Sequence, residues 1–228
     1  MTDIHACAQK LGIMIHDKKF LLEALTHRSY LNENHSSTKH NERLEFLGDA
    51  VLELVVTNFL FHKFPQSPEG ELTAYRAALV NTQSLAESSE ALGVNDMLLL
   101  SKGEAKDTGH SRQVILANAF EAILGAIYLD TGLEAVSAFI AKHIYPKIDR
   151  IIKERLWQDA KSYFQEMAQE HRGVTPTYKT LHEEGPDHEK RFMLGVFLRD
   201  EQIATGEGRS KQDAQQNAAQ NALQKTGW

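Results

Sequence analysis

Three carboxylates lie at helical spacing in one short segment of the sequence, NERLEFLGDAV at 41–51. At about 100° per residue, Glu42, Glu45 and Asp49 fall within roughly 60° of one another on a single helix face. The segment contains one Arg and no Lys, so these acids lack the usual i,i+4 partners and repel one another. The pattern has two interpretations: a solvated helix face, or one side of a site for a divalent cation.

A second segment, at 118–127, repeats this design. Asn118 and Glu121 share one face, three residues apart, and apolar residues occupy the other face. Small residues accompany the polar ones in both segments: Gly48, Ala122 and Gly125. Small side chains allow two helices to approach closely, so the two polar faces are expected to meet at one point.

A donor set made only of Glu, Asp and Asn oxygens suits Mg²⁺, with Mn²⁺ as a possible substitute. Metals held by carboxylates catalyse phosphodiester hydrolysis by acting as Lewis acids and by lowering the pKa of bound water. Such a site needs no histidine. We interpret His35 and His40 as residues of a solvated loop rather than zinc ligands, because no Cys or paired carboxylate accompanies them.

Composition places the chain in the ordinary globular class, with 228 residues, 42% of them hydrophobic, and a formal net charge of -6. The lone Cys7 cannot form an internal disulfide, and the early sequence shows no signal peptide, so we expect a cytoplasmic protein. No run approaches the roughly 18 apolar residues of a membrane span, and we expect no membrane partner. The negative net charge implies that any nucleic-acid contact comes from a local basic patch.

The chain divides into two regions by periodicity, and we place the boundary between 1–156 and 157–228. Apolar residues recur at helical spacing in five runs of the first region: 21–25, 44–60, 79–92, 115–128 and 133–156. In the second region a helix near 159–170 is followed by an extended run from Pro176, alternating strands at 191–198 and 202–206, and an Ala-rich helix at 210–225. The predicted fold class is an all-α domain followed by an α+β (α-β-β-β-α) module.

The first region resembles the bacterial ribonuclease III endonuclease domain. The resemblance rests on LTHRS at 25–29, NERLEFLGDAVL at 41–52 and ILANAFEAILGAIYLD at 115–130. It implies a homodimeric, Mg²⁺-dependent endoribonuclease of rRNA and mRNA precursor processing that hydrolyses both strands of double-stranded RNA. The implied products carry 5′-phosphate and 3′-hydroxyl ends with short 3′ overhangs.

The resemblance also assigns roles to the acidic residues. Glu45 and Glu121 correspond to metal ligands, Asp49 and Glu121 to catalytic residues, and Glu42 and Glu69 to auxiliary acids. Asn118 departs from the family pattern, which usually has Asp as a ligand at this position. An amide oxygen still coordinates Mg²⁺ but contributes no negative charge, so we expect weaker metal binding and a residual activity.

The second region resembles a double-stranded RNA-binding domain. Five residues correspond to its RNA-binding positions: Gln165, His188, Arg209, Ser210 and Lys211. Ser210 is expected to cap the last helix, which would direct the helix amides and Lys211 toward one phosphate. Gln212 stands where many members of this family have another lysine, which predicts a weaker contact. The predicted core consists of Tyr178, Phe192, Val196, Ala214, Ala218 and Ala222, and a linker is expected at 157–161.

Three functions follow from these patterns. The first is a ribonuclease III enzyme, and the second is a catalytically silent double-stranded RNA-binding protein, which only Asn118 suggests. A metal phosphohydrolase for small nucleotides is the third, and the C-terminal module argues against it.

Cutting both strands of a duplex requires two carboxylate clusters, which a twofold homodimer provides. Phe46 lies on the polar side of its helix, so it is either a dimer contact or a core residue.

Overall fold

The computed structural model of the protein describes residues 3–34, 38–106, 108–186 and 190–228. The chain separates into two compact units, Met1–Trp157 and Gln158–Trp228. The first is helical, and the second combines two helices with a three-stranded sheet. The predicted fold class is confirmed.

Eight α-helices are described in the first unit. They are α1 (Ile4–Leu11), α2 (Lys18–Ala24), α3 (Arg28–Glu33), α4 (Glu42–Lys63), α5 (Glu69–Val80), α6 (Thr82–Ala91), α7 (His110–His143) and α8 (Lys147–Lys153). Short 3-10 helices lie at Val94–Asp96 and Glu104–Lys106. The apolar runs did not predict α1, whose ends are instead fixed by Asp3, which accepts hydrogen bonds from the first-turn amides, and by Gly12 at φ 70°.

The periodicity of the run at 79–92 suggested one helix, but the structure divides this run between α5 and α6. Asn81 adopts an extended conformation, with φ -68° and ψ 161°, and separates α5 from α6. Its side-chain oxygen accepts a hydrogen bond from the Ser84 N–H at 2.9 Å, which caps α6. A side chain that satisfies an otherwise unpaired helix amide stabilises the break.

The runs at 115–128 and 133–156 are also divided differently from their pattern. A continuous segment forms α7, with a kink at Gly132, where φ is 87°. Pro146 then starts α8, in agreement with its predicted interruption. Trp157 was predicted to begin the linker, but it belongs to the first unit. Its ring packs edge-on against Tyr75, with the centroids 5.0 Å apart.

By length and composition alone, α7 is apolar enough to cross a membrane, although no such segment was expected from the sequence. Its apolar residues are nevertheless in the protein core, because Phe120, Ile123 and Leu124 have no exposed surface. They belong to the same buried cluster as Leu52 and Val56 of α4, the helix that packs against α7. A buried helix of a folded domain therefore explains the composition of α7.

The second unit contains α9 (Ala160–Arg172), β1 (Thr177–Glu184), β2 (Arg191–Leu198), β3 (Glu201–Gly208) and α10 (Lys211–Thr226). The strands form an antiparallel sheet in the order β1-β2-β3, and α10 packs against β2, β3 and α9. A Cβ atom at Gly206 on β3 would overlap the backbone of Ala218, so a glycine is needed where α10 crosses the sheet.

Four of the six predicted core residues of this unit are fully buried: Val196, Ala214, Ala218 and Ala222. Tyr178 is partly buried and packs against the same core, together with Phe164. The prediction that Phe192 is a core residue is wrong. Its ring stays partly exposed beside two lysine side chains.

Candidate active site

The two polar segments meet where α4 crosses α7. A Cβ atom at Gly48 would overlap the backbone carbonyl of Glu121, and one at Gly125 would overlap the carbonyl of Leu44. The two helices are therefore in direct backbone contact, as the small residues predicted, and Ala122 is fully buried beside them. No larger side chain fits at either glycine without separating the helices.

This crossing brings Glu45 and Asp49 of α4 to Asn118 and Glu121 of α7. The Asn118 side chain donates a hydrogen bond to the Glu45 carboxylate, which joins the two helices. Asp49 and Glu45 are both close enough to Glu121 to act on its ionisation. Asp49 is exposed, and the other three residues are partly buried.

The cluster carries more negative charge than its surroundings balance. Burial raises the pKa of Glu121 to about 8, and the neighbouring carboxylates of Asp49, Glu45 and Glu53 reinforce the increase. Burial and the charges of Glu42 and Asp49 also raise the pKa of Glu45, against the lowering effect of the Asn118 hydrogen bond. Near neutral pH, Glu121 consequently retains a proton that a bound cation would displace.

Within the described part of the chain, no three His, Cys, Asp or Glu side chains are arranged as a ready set of metal ligands. The donor chemistry of the cluster nevertheless fits a hard divalent cation. It consists of oxygen atoms only, on two helices held together by backbone contact, and the repulsion among them is relieved by positive charge. The four residues that fit such a cation are Glu45, Asp49, Asn118 and Glu121.

The two predicted auxiliary acids differ in position. Glu42 lies at the start of α4, where it acts on Glu45 and contacts Arg28 at 3.4 Å. Glu69 lies in the first turn of α5 and accepts a hydrogen bond from the Thr73 hydroxyl at 3.0 Å. Among the contacts of the described residues, none brings Glu69 to the cluster.

Only His40 of the predicted loop histidines lies among the described residues, and no group of three possible metal-ligating side chains there includes it. His40 has a side chain that is 41% exposed, and its Nδ1 lies 3.8 Å from a Glu42 carboxylate oxygen. His35 lies outside the described residues, so its interpretation stays a prediction.

A pair of charged residues next to the cluster was not predicted from the sequence. Glu53 follows Asp49 by one helical turn, and its charge contributes to the raised pKa of Glu121. Arg76 of α5 binds the Glu53 carboxylate at 2.9 Å and also donates to the Thr57 hydroxyl at 2.9 Å. The i,i+4 spacing of Asp49 and Glu53 was a usable signal, whereas the partner from α5 was not visible in the local pattern.

The LTHRS segment positions the beginning of α4. Thr26 is fully buried, and its carbonyl accepts a hydrogen bond from the Asn41 N–H at 3.0 Å. Ser29 accepts a hydrogen bond from the Ser101 N–H at 3.1 Å. The hydrogen bond between Thr26 and Asn41 fixes the start of α4 next to Glu42 and Glu45.

A second candidate surface lies on the second unit. Four residues predicted to bind RNA are exposed there: Gln165 on α9, and Arg209, Ser210 and Lys211 at the start of α10. The Ser210 hydroxyl accepts a hydrogen bond from the Asp213 N–H at 3.1 Å, so the predicted cap is present. His188 lies outside the described residues.

Comparisons with known proteins agree with both halves of this description. Residues 17–148 match the family model described as Ribonuclease-III-like, and residues 160–226 match the Double-stranded RNA binding motif. Ribonuclease 3 of Nitratiruptor sp. is 47% identical over 226 residues, which cover 98% of this chain and 96% of that protein. Ribonuclease 3 of Anoxybacillus flavithermus is 48% identical over 219 residues, covering 95% of this chain and 91% of that protein.

The nuclease domain of ribonuclease III from Campylobacter jejuni is a similar solved structure. It has a TM-score of 0.57 and 42% identity, and the match covers 64% of this chain and 97% of that domain. A second structure of the Campylobacter jejuni nuclease domain has a TM-score of 0.56 and concerns structural flexibility in the region involved in its dimer formation.

Proposed function

Because this chain belongs to the ribonuclease III family of double-stranded RNA endoribonucleases, we propose that it is a Mg²⁺-dependent homodimer that cuts both strands of its substrate. The proposed products carry 5′-phosphate and 3′-hydroxyl ends, and the proposed cellular role is rRNA and mRNA precursor processing in the cytoplasm. The observation that carries the proposal is the α4–α7 crossing, where carboxylates of both helices are held together in spite of their repulsion.

Four residues would hold the cation in this proposal: Glu45, Asp49, Asn118 and Glu121. Bound Mg²⁺ would supply Lewis acidity toward the phosphate and a more acidic water molecule. Glu45 and Glu121 are partly buried, so the protein restrains their orientation, while Asp49 is exposed and accessible to substrate and water. Glu42 increases the negative potential at Glu45 and is assigned an auxiliary role. Glu69 keeps the same auxiliary assignment from the family resemblance alone.

The homodimer is supported by an apolar stripe on α4. Phe46, Leu54 and Phe61 fall within roughly 80° of one another around the helix. Their exposed fractions are 81%, 60% and 65%, which a second copy of the chain would reduce. The alternative prediction that Phe46 is a core residue is wrong. Dimer formation of the Campylobacter jejuni nuclease domain adds support from a related protein.

Asn118 favours a second candidate, the silent double-stranded RNA-binding protein. In the structure its amide group donates to Glu45, and a cation at the cluster would require the amide to present its oxygen instead. Glu45, Asp49 and Glu121 all remain, however, and they supply the negative charge that a divalent cation needs. The enzyme is therefore the first candidate.

One assay separates the two candidates. The purified protein is incubated with long duplex RNA over a titration of Mg²⁺ and then of Mn²⁺, and both binding and cleavage are measured. The enzyme should produce short duplexes whose ends are ligatable 5′-phosphates. RNA that is bound but never cut at any metal concentration would establish the silent binder instead.

A further inference from the structure

A cavity of about 460 Å³ lies in the first unit, between the end of α5 and the helices α6 and α8. Four of the residues that line it are apolar: Ala78, Pro146, Ile151 and Leu156. Small-molecule sites in proteins are cavities of roughly 300–1,000 Å³ with mainly apolar walls and a few polar groups. The described residues of this cavity lie outside the carboxylate cluster of α4 and α7, so the proposed cleavage chemistry gives the cavity no role.

Lys147 of α8 brings a partly buried ammonium group to this cavity. Its Nζ atom donates hydrogen bonds to the backbone carbonyl of Ser84 and to the Ser84 hydroxyl, the second at 3.1 Å. A carboxylate oxygen of Glu87 lies 4.0 Å from the same Nζ atom, which is too long for a hydrogen bond. Because the Lys147 side chain is only 24% exposed, its charge is poorly solvated and weakly balanced.

Arg150, one turn after Lys147, adds a second positive charge to the lining. Burial lowers the pKa of Lys147, and the charge of Arg150 acts in the same direction, whereas Glu87 opposes both. The contact of Arg150 with Glu154 at 3.4 Å is an exposed ion pair, which stabilises little. The charged residues among the described lining are thus two cations and one carboxylate. An anion next to both cations would reduce their repulsion.

We propose that this cavity binds a small organic monoanion, a carboxylate on an apolar body, with the carboxylate at Lys147 and Arg150. The planar guanidinium of Arg150 suits a carboxylate, because it presents parallel N–H groups to the two oxygens. The apolar body packs against the apolar wall, including Ile151 and Leu156. One negative charge balances the net charge of the lining, whereas a dianion such as a phosphate monoester would be repelled by Glu87.

The test is a titration of the full chain with hexanoate, followed by NMR of its labelled Ala, Ile and Leu methyl groups. Saturable shifts are expected at Ala78, Ile151 and Leu156. 1-Hexanol lacks the charge and acetate lacks four methylene groups, so each should bind at least roughly tenfold more weakly than hexanoate. Absence of saturable shifts at these methyl groups would overturn the site, and equal affinity for hexanoate and 1-hexanol would overturn the role of the two cations.

Substitutions of the two cations test where the carboxylate lies. Lys147→Met should weaken hexanoate binding by roughly tenfold or more, because a partly buried charged partner is lost. Arg150→Gln, at an exposed position where folding is not at risk, should weaken it by roughly two- to fivefold. Lys153→Gln is the matched control, since it removes the same charge from an exposed position of α8 and should change the affinity by less than about twofold. Equal effects of Arg150→Gln and Lys153→Gln would overturn the proposed placement.

Glu87 provides a test of opposite sign. Its carboxylate competes with the ligand for Lys147, so Glu87→Gln should tighten hexanoate binding by roughly two- to threefold. Glu90→Gln removes an exposed carboxylate of the same helix and makes the same change in net charge. Binding by Glu87→Gln that is no tighter than binding by Glu90→Gln would show that the carboxylate of the ligand does not lie beside Lys147, and the proposal would be wrong.

Discussion

The side-chain amide of Asn118 on α7 donates a hydrogen bond to the carboxylate of Glu45 on α4. At this position a carboxylate would add to the repulsion within the cluster, while the amide reduces it. Under the proposed function, we therefore expect Asn118 to stabilise the cation-free arrangement of the site and to reduce the affinity of the site for the metal.

Asn118→Asp should lower the Mg²⁺ concentration for half-maximal cleavage by roughly threefold or more. The substitution adds one negative charge and removes an amide that must turn away from the cation. The measurement is a cleavage rate over a Mg²⁺ titration, repeated with Mn²⁺, which tolerates mixed ligands better. Identical titrations of the variant and the parent would contradict the assignment of Asn118 as a ligand.

Glu121→Gln and Glu45→Gln should reduce cleavage by more than the roughly 10- to 100-fold typical of residues that only support a metal ligand. Binding of duplex RNA in EDTA should change by less than about twofold, because the proposed binding residues belong to the other unit. Glu134→Gln, an exposed carboxylate on the same helix, is the control. Full cleavage by Glu121→Gln would remove this residue from the site.

Gly48→Ala should destabilise the first unit by about 1–3 kcal/mol or more and reduce cleavage strongly. The added methyl group overlaps the Glu121 carbonyl, so the helices must separate and the carboxylates with them. Gly70→Ala is a matched control, because a Cβ atom at that position would meet no neighbouring part of the protein within 4 Å. Denaturant unfolding and cleavage rates are compared, and equal behaviour of the two variants would show that the close approach is dispensable.

Phe46→Ser and Phe61→Ser should shift the protein from dimer toward the 25.7 kDa monomer in sedimentation measurements. Each removes an exposed aromatic ring from the proposed interface on α4. Met14→Ser, at a position 73% exposed in the same unit, should leave the dimer intact. A fully active 25.7 kDa particle for the unaltered chain would exclude the homodimer.

Asp130→Asn should cost about 1–2 kcal/mol of unfolding free energy at neutral pH. The Asp130 side chain is 3% exposed and accepts hydrogen bonds from the His16 and Asp17 N–H groups at 2.7 and 2.8 Å. Burial raises the pKa of Asp130, but the two amides and the His16 ring outweigh it, and the net pKa is lowered.

A lowered folded-state pKa gives a contribution that is fully present above the unfolded value, about 3.9, and is lost as the pH falls through the folded value. Urea unfolding of the parent and Asp130→Asn should therefore differ at pH 7 and converge at acid pH. A constant difference across this range would show that the charge of Asp130 contributes nothing.

Features that depend on local backbone geometry could be predicted from the sequence. Helical spacing placed Glu42, Glu45 and Asp49 on one face, and a short polar side chain before an Ala-rich run placed the Ser210 cap. These features follow from residues within one or two helical turns. Helical spacing gave a wrong prediction at Asn81, because the capping hydrogen bond of this residue begins a new helix within a continuous helical pattern.

Which distant residues meet depends on the tertiary structure. The contact of Gly48 and Gly125 with opposing carbonyls sets the distance between the helices, and through it the hydrogen bond of Asn118 and the raised pKa of Glu121. The exposure of Phe46 depends equally on what the rest of the chain covers. Packing, desolvation and charge act through space between segments far apart in the chain, so a periodic pattern contains the candidates for the site but not their mutual distances.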